Sequence, residues 1–402
     1  MFGDVRTAWR KVDRTLLPPK ALYFCYFAAM AALMPFLALY FRQVGLSGGH
    51  IGLLLGIGPM ITLAAAPAWG GLADRTQRHR LLLTIAIVGA MIAMFLVSQV
   101  GTLGLLLVLI AAYAWFSAPI MPLVDNSVLA ILGERKGEYG KQRLWGAVGW
   151  GVAAAIAGVM IDRYGLGAGF AGFLLFMGIG LVTSRYMHIA EAGIGQRFWS
   201  GIGLIAANGT WVAFLLTVFV AGIGSGVTNN FLFLYLSDLG ASETLMGWSL
   251  VVATVSELPI FFYSSKLLKR WGAPGVLMIA LGANVVRLIA YAVMPDAWMV
   301  LPIHLLHGLA FSAMWVAGVT YAGELAPPGM GATAQGLFGG VNMGLGAAAG
   351  ALMGGLLYDL TGPRAMYGWI AVTVAVGMAG FWLGERLRAR RAGARPVPDR
   401  GG

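Results

Sequence analysis

Four ionisable residues stand where an ionised side chain is hard to keep. Asp125, Arg143, Glu257 and Arg287 lie inside or at the edge of long apolar runs. A charge at mid-bilayer depth costs about 3 kcal/mol or more, so such a group faces a polar cavity, a partner or a bound solute. Asp125 stands eighteen residues before Arg143. A carboxylate opposite a guanidinium can form an ion pair that opens to take one polar group on each side. The same pair can equally pin two helices together. Glu257 lies in Thr254-Val-Ser256-Glu257-Leu-Pro259 and is the first candidate for carrying a proton. One elementary charge falling through 100 mV releases about 2.3 kcal/mol, which such an acid can harness. Arg287 needs an anion within the membrane: Glu257, or the carboxylate of a solute.

Weaker candidates surround these four. His304 and His307 share a helix face by i,i+3 spacing and belong with Glu257 as proton-handling groups, or else are neutral histidines bonded between helices. Trp150 follows Arg143 by seven residues, two turns along nearly the same face. Its indole can stack on a sugar or an aromatic ring. A tryptophan at the lipid boundary is the other reading, stronger for Trp145. Asn229, Asn230 and Tyr235 add uncharged hydrogen-bonding groups.

The elements that must position these residues are membrane helices. The chain has 402 residues, of which 59% are hydrophobic and 11% charged, against about 25% charged in a soluble domain; its mean hydropathy is +0.80. A crossing needs about 20 apolar residues. Twelve such runs, spans 1 to 12, can be drawn near 21–42, 51–73, 81–100, 103–127, 144–162, 167–187, 211–237, 245–265, 273–294, 297–320, 333–358 and 364–384. All exceed the ten-residue alternating segments of an outer-membrane barrel.

The net charge of +11 follows the links between runs. With the N-terminus inside, Arg42, Arg163 and Arg364 alone fall outside, Arg287 lies within a span, and every other Lys and Arg is cytoplasmic. That bias sets both termini in the cytoplasm, and it makes the basic surplus a matter of topology, not of nucleic-acid binding. The single Cys25 allows no internal disulfide. The first run has no small-residue cleavage site and reads as a retained span.

The chain repeats itself. Gly158-Val-Met-Ile-Asp162-Arg-Tyr-Gly165 closes span 5 and Gly355-Leu-Leu-Tyr-Asp359-Leu-Thr-Gly362 closes span 11, at an offset of 197. Gly52 and Gly247 open spans 2 and 8 at an offset of 195, which also sets Gly70-Gly-Leu-Ala-Asp74-Arg75 against Ser265-Lys-Leu-Leu-Lys269-Arg270. Two six-span halves of this kind are the parallel repeat of a secondary transporter. The expected organisation is a first bundle over 1–187, a cytoplasmic linker over 188–208, a second bundle over 209–385 and a disordered basic tail over 386–402.

Gly70-x-x-x-Asp74-Arg75-x-x-Arg78-His79-Arg80 resembles the signature loop of the major facilitator superfamily. The resemblance implies that Gly70, Asp74, Arg75 and Arg78 form a conformational latch. The family pattern carries a Gly after Asp-Arg, where this chain has Gln77. Tyr139-Gly140-Lys141-Gln142-Arg143-Leu-Trp145-Gly146-Ala-Val-Gly149-Trp150 resembles the start of helix 5 in the lactose permease and 3-phenylpropionate transporter branch. Asn284-Val-Val-Arg287-Leu-Ile, Leu306-His307 and Met34-Pro35-Phe36 resemble segments of helices 9, 10 and 1 there. Two departures stand out. Lactose permease has an essential acid three residues after its helix 10 histidine, where this chain has Ala310, and its helix 7 acids fall in a region that reads Thr228-Asn229-Asn230 here.

The resemblance implies an all-α major facilitator fold of twelve helices in a bacterial-type inner membrane, with no enzymatic activity. The expected function is proton-coupled symport of a small organic solute (an aromatic carboxylate, a sugar or a nucleoside), and the alternative is proton-antiporting efflux. The expected substrate contacts are Asp125, Arg143, Trp150, Arg287, Asn229 and Asn230, and the expected proton-coupling residues are Glu257, His307 and His304. Apart from the proton no cofactor or metal is expected. The expected partners are the solute and the lipid bilayer, with the protein acting as a monomer. No phosphate-cradling Gly-x-x-x-x-Gly-Lys-Ser/Thr loop is present to drive pumping by nucleotide hydrolysis.

Overall fold

The computed structural model describes residues 14–187, 208–328 and 330–393. The described residues form helices joined by short turns, with no strand among them. This follows from the composition: in hydrocarbon each backbone N–H and C=O must be satisfied within its own segment. Large apolar side chains such as Val108, Leu216, Phe262 and Val376 stay exposed along the helices, as a lipid-facing surface requires.

Eight stretches of helix are long and apolar enough to cross a membrane, and a pair bent by 40° makes a ninth. Three of the eight, Leu103–Tyr164, Glu243–Val293 and Thr333–Arg388, hold 62, 51 and 56 residues, more than twice the length of one crossing. Each consists of helices joined at a break. The first breaks at Gly133 and the 3-10 turn that follows it, the second at Gly272, and the third at Gly362. With two crossings in each of the three, the twelve expected spans are accounted for. Gly272 (φ 65°, ψ 171°) and Gly362 (φ 78°, ψ 167°) adopt a backbone that only glycine tolerates.

The internal repeat is visible in backbone angles. Positive φ occurs at Gly45 and Gly240, at Gln77 and Gly272, and at Gly165 and Gly362; the offsets are 195, 195 and 197, those of the sequence repeat. Gln77 is the one non-glycine residue with positive φ among the described residues. It ends helix Gly48–Thr76 in the left-handed region and donates its side-chain amide to the Asp74 carbonyl at 2.7 Å. A side chain in that region costs about 1 kcal/mol, and Gln77 is exposed. Gln77→Gly should therefore raise stability by roughly that amount, read as a higher melting temperature in detergent.

The chain divides into two compact units, Met1–Gln196 with Asn230–Val251, and Arg197–Asn229 with Val252–Gly402. In the first, span 1 (Leu17–Gln43) packs on span 5 (Tyr139–Tyr164) and span 6 (Gly167–Ser184). Span 5 admits it through small residues: a Cβ at Gly149 would lie 2.3 Å from the Phe24 carbonyl oxygen. Ala28, Ala31, Ala153 and Ala154 form the buried seam. In the second unit the part of span 7 (Gly209–Asp238) up to Asn229 meets a π-helical turn, Gly340–Gly346, in span 11. There Gly222 and Gly346 face each other, and Asn342 donates to the Val218 carbonyl at 3.2 Å.

Two expectations need correction. The tail is helical as far as Gly393, not disordered from Arg386. Glu385 accepts a hydrogen bond from Tyr321 at 2.6 Å, Arg388 donates to the same tyrosine oxygen at 2.8 Å, and Arg386 lies 3.7 Å over the Trp382 ring. These contacts hold the extra turns. The spans are also less continuous than drawn. Span 1 passes through a 3-10 turn at Met34–Phe36 around Pro35, span 4 breaks before Ile120 at Pro119, and span 10 breaks between His304 and His307. The linker 188–207 lies outside the described residues, as do Arg6, Arg10, Lys11, Arg395 and Arg400.

Candidate functional site

Each unit builds one polar cluster inside its apolar helices. In the first unit Tyr23 of span 1 donates its hydroxyl hydrogen to Asp125 at 2.5 Å. The Arg143 guanidinium lies 5.5 Å from the centre of the same tyrosine ring and 4.6 Å from that of Phe27. Asp125 and Arg143 thus converge on Tyr23, but among the described residues no ion pair joins them. This corrects the expected direct pair. The close approach of span 1 at Gly149 brings the Tyr23 phenol to the carboxylate, and Arg143 is left on aromatic faces with its Nη1 buried and without a partner. Trp150 does not stand free for a solute to stack on. It is half-buried against the alanine seam with Phe24, Phe176 and Leu250. Trp145 is 44% exposed on the outer face.

The second unit joins Arg287, His307 and Glu257 in one line. Arg287 is 3% exposed. Its Nη1 lies 2.8 Å from Nδ1 of His307, and Nε2 of His307 lies 3.4 Å from Oε1 of Glu257. A guanidinium only donates hydrogen bonds, so Nδ1 accepts. The ring is therefore the neutral tautomer with its hydrogen on Nε2, directed at the carboxylate. Arg287 needed an anion, and it reaches Glu257 through a histidine.

The local sequence explains the line. Span 10 is broken at Leu305-Leu306, so His307 begins a new helix, His307–Leu325. The first N–H groups of a helix lack partners within it. The N–H of Gly308 finds Ser256 Oγ at 2.9 Å, on the residue before Glu257. A Cβ at Gly308 would lie 2.0 Å from the Ser256 carbonyl oxygen, so glycine alone allows spans 8 and 10 to meet this closely.

Beside the line is a cavity of about the size of one water molecule, bordered by Ser225, Asn229, Asn284, Arg287, His307, Ala310 and Phe311. Arg287 Nε and Asn284 Oδ1, both buried, have no protein partner. Asn229 reaches this cavity; Asn230, turned about 100° around the helix, does not border it. His304 is buried, its ring 6.1 Å from His307 and 6.3 Å from Tyr291. The residue pattern does not mark Tyr23 or Gly308, and it names Ser256 and Asn284 only as neighbours of Glu257 and Arg287. The signals available were a tyrosine within the first span and a glycine next to a membrane histidine.

The family model described as MFS_1 like family matches residues 16–369. The chain belongs to the MFS_1-like family. It is similar to the maltose permease of Geobacillus stearothermophilus, 29% identical over 96% of this chain and 98% of that one. It is also similar to the probable 3-phenylpropionic acid transporter of Escherichia coli, 26% identical over 88% and 93%. Among solved structures, the nucleoside transporter NupG superposes with a TM-score of 0.80 at 18% identity, over 92% of this chain and 98% of that one. A bacterial homologue of the human lysosomal transporter Spinster superposes with a TM-score of 0.73 at 16% identity, over 96% and 98%. The fold is that of the major facilitator superfamily, and the protein is a multi-pass membrane transporter, not an enzyme.

The signature loop of this MFS_1-like chain is partly accounted for. Gly70 is buried, while Arg75 and Arg78 are exposed. The arginine that reaches across is Arg80, which donates to the Met187 carbonyl at the end of span 6, at 3.0 Å.

Proposed function

We propose that the protein is a proton-coupled symporter of a small, uncharged, hydroxyl-bearing solute such as a sugar, working by alternating access of its two six-span halves. The observation that carries the coupling is the Arg287–His307–Glu257 line. Glu257 as carboxylate accepts the hydrogen of His307 Nε2. When Glu257 takes up a proton its negative charge is gone, the hydrogen bond from His307 weakens to a neutral one, and Arg287 loses the anion that balances it. Protonation is thereby transmitted to a guanidinium that borders a cavity.

The solute class rests on charge and on hydrogen-bonding sense. Each cluster holds one acid and one arginine, so neither carries a surplus charge to draw in an anion. Arg287 Nε is an unused donor and Asn284 Oδ1 an unused acceptor, the complement of a hydroxyl, which both accepts and donates. A carboxylate would only accept. The similarity to a maltose permease supports the same reading. The bias of Lys and Arg supports an inner-membrane protein with both termini cytoplasmic, and one such bundle suffices to act as a monomer.

The test is uptake of radiolabelled maltose, 3-phenylpropionate and uridine into proteoliposomes, with and without an inwardly directed proton gradient. Accumulation of the sugar only under the gradient is the expected outcome. Uptake that ignores the gradient would end the coupling claim, and expulsion of solute against an inward proton flow would replace symport by antiport.

A further inference from the structure

We infer that the end of the second unit where spans 8 and 9 meet carries a binding site for the headgroup of an anionic phospholipid. The argument starts from register. Span 9, after Gly272, runs antiparallel to span 12, after Gly362. At one end Arg364 donates to the Met294 carbonyl at 3.4 Å. Twelve residues back along span 9, Gly282 faces Met378, fourteen residues on along span 12. Ten residues further back span 9 begins at the Gly272 break, level with the stretch around Arg388, and Arg270 lies two residues before that break. These contacts bring the turn between spans 8 and 9, which carries Lys269 and Arg270, to the same end as Arg386, Arg388 and Arg390 of span 12, with Lys266 about one turn further back along span 8. All six are exposed.

Three of these cations lie over aromatic rings. Lys266 lies 5.1 Å over Tyr263, Arg270 lies 5.1 Å over Trp271, and Arg386 lies 3.7 Å over Trp382. Trp271 and Trp382 are 45% and 43% exposed. Exposed tryptophan beside apolar helix surface marks the headgroup level of a bilayer, so the cations are held at phosphate depth. Among the described residues the acids at this end are Glu324 and Glu385, and Glu385 is already held by Tyr321 and Arg388.

Topology alone does not account for the arrangement. The internal repeat aligns Lys269 with Asp74. In the first half this helix end carries an acid, and in the second half a base stands in its place. Among the described residues the loop of the second half has no acid with which to latch, and of the six cations Arg388 alone pairs with a carboxylate, that of Glu385. Anionic lipid in the leaflet at that end supplies the counter-charge. This inference does not depend on the solute or on proton coupling.

The experiment titrates delipidated, detergent-purified full-length protein with phosphatidylglycerol, phosphatidylcholine or soluble glycerol phosphate, followed by native mass spectrometry and thermal shift. It compares the wild type, the variant Lys266→Gln/Lys269→Gln/Arg270→Gln, and a control that loses the same charge elsewhere, Arg135→Gln/Lys136→Gln/Lys141→Gln. With each basic residue near an anionic surface worth about a factor of five, the first variant should bind phosphatidylglycerol on the order of 100-fold more weakly. The control should bind as the wild type does. Equal loss in both variants, no loss in the first, or equal binding of phosphatidylcholine or glycerol phosphate by the wild type would overturn the inference. If the lipid-free melting temperature of the first variant falls, Arg386→Gln/Arg390→Gln on span 12 takes its place and must show the same direction of loss.

Discussion

Gly308→Ala should abolish transport, although it adds a single methyl group to a helix. The added Cβ would lie 2.0 Å from the Ser256 carbonyl oxygen, 2.4 Å from its carbonyl carbon and 2.8 Å from the Glu257 nitrogen. All three are backbone atoms, so no rotamer change relieves the clash and the two helices must part. Parting stretches the Gly308 N–H bond to Ser256 Oγ, now 2.9 Å, and the His307–Glu257 contact, already 3.4 Å. Overpacking of this kind costs about 1–3 kcal/mol, and the freed N–H adds about 1–3 kcal/mol more. The expected result is a clearly lower melting temperature and at least a tenfold loss of gradient-driven uptake. Gly323→Ala is the matched control on the same helix. A Cβ there meets nothing within 4 Å, and alanine in place of glycine inside a helix is favourable by up to about 1 kcal/mol. Wild-type uptake by Gly308→Ala would show that the close approach of spans 8 and 10 is irrelevant to function.

Much of this arrangement was legible in the residues, and the parts that were not have a common cause. Membrane helices announce themselves through the cost of charge in hydrocarbon, so Asp125, Arg143, Glu257 and Arg287 could be singled out one by one. The twelve spans followed from length and hydropathy, and the repeat followed from glycine spacing, which reappears as paired positive φ at Gly165 and Gly362. Pairing between helices could not be read in the same way. Two charges of opposite sign suggested a direct Asp125–Arg143 bond, but a phenol from span 1 intervenes, because Gly149 lets that helix approach. The residue types group His307 with Glu257 as proton-handling groups, but nothing in them indicates its bond to Arg287. It depends on a helix break at Leu305-Leu306 that no proline or glycine at those two positions marks. The tail departs from its composition for a related reason. Its Arg, Gly and Pro content indicates disorder, and the contacts of Glu385 and Arg388 with Tyr321, distant in sequence, override it.

The second large effect should appear as non-additivity between Arg287 and Glu257. Arg287→Met removes the donor to His307 Nδ1 and leaves the carboxylate of Glu257 without its distant counter-charge. Glu257→Gln removes the charge and leaves Arg287, 3% exposed, as an uncompensated cation. Breaking a buried ion pair from one side costs about 3–5 kcal/mol, whereas removing both partners can be nearly neutral. The single variants should therefore be strongly destabilised in detergent. The double variant Arg287→Met/Glu257→Gln should be more stable than the sum of the two losses predicts, by at least about 1 kcal/mol. Uptake separates the roles further. The double variant, though folded, holds no acid in this line, so an imposed proton gradient should no longer drive accumulation, while exchange of labelled for unlabelled solute across the membrane should persist. Additive losses would mean that His307 does not link the two charges. Gradient-driven accumulation by the double variant would mean that the proton travels through some other group, with Asp125, bonded to Tyr23, next to be tested.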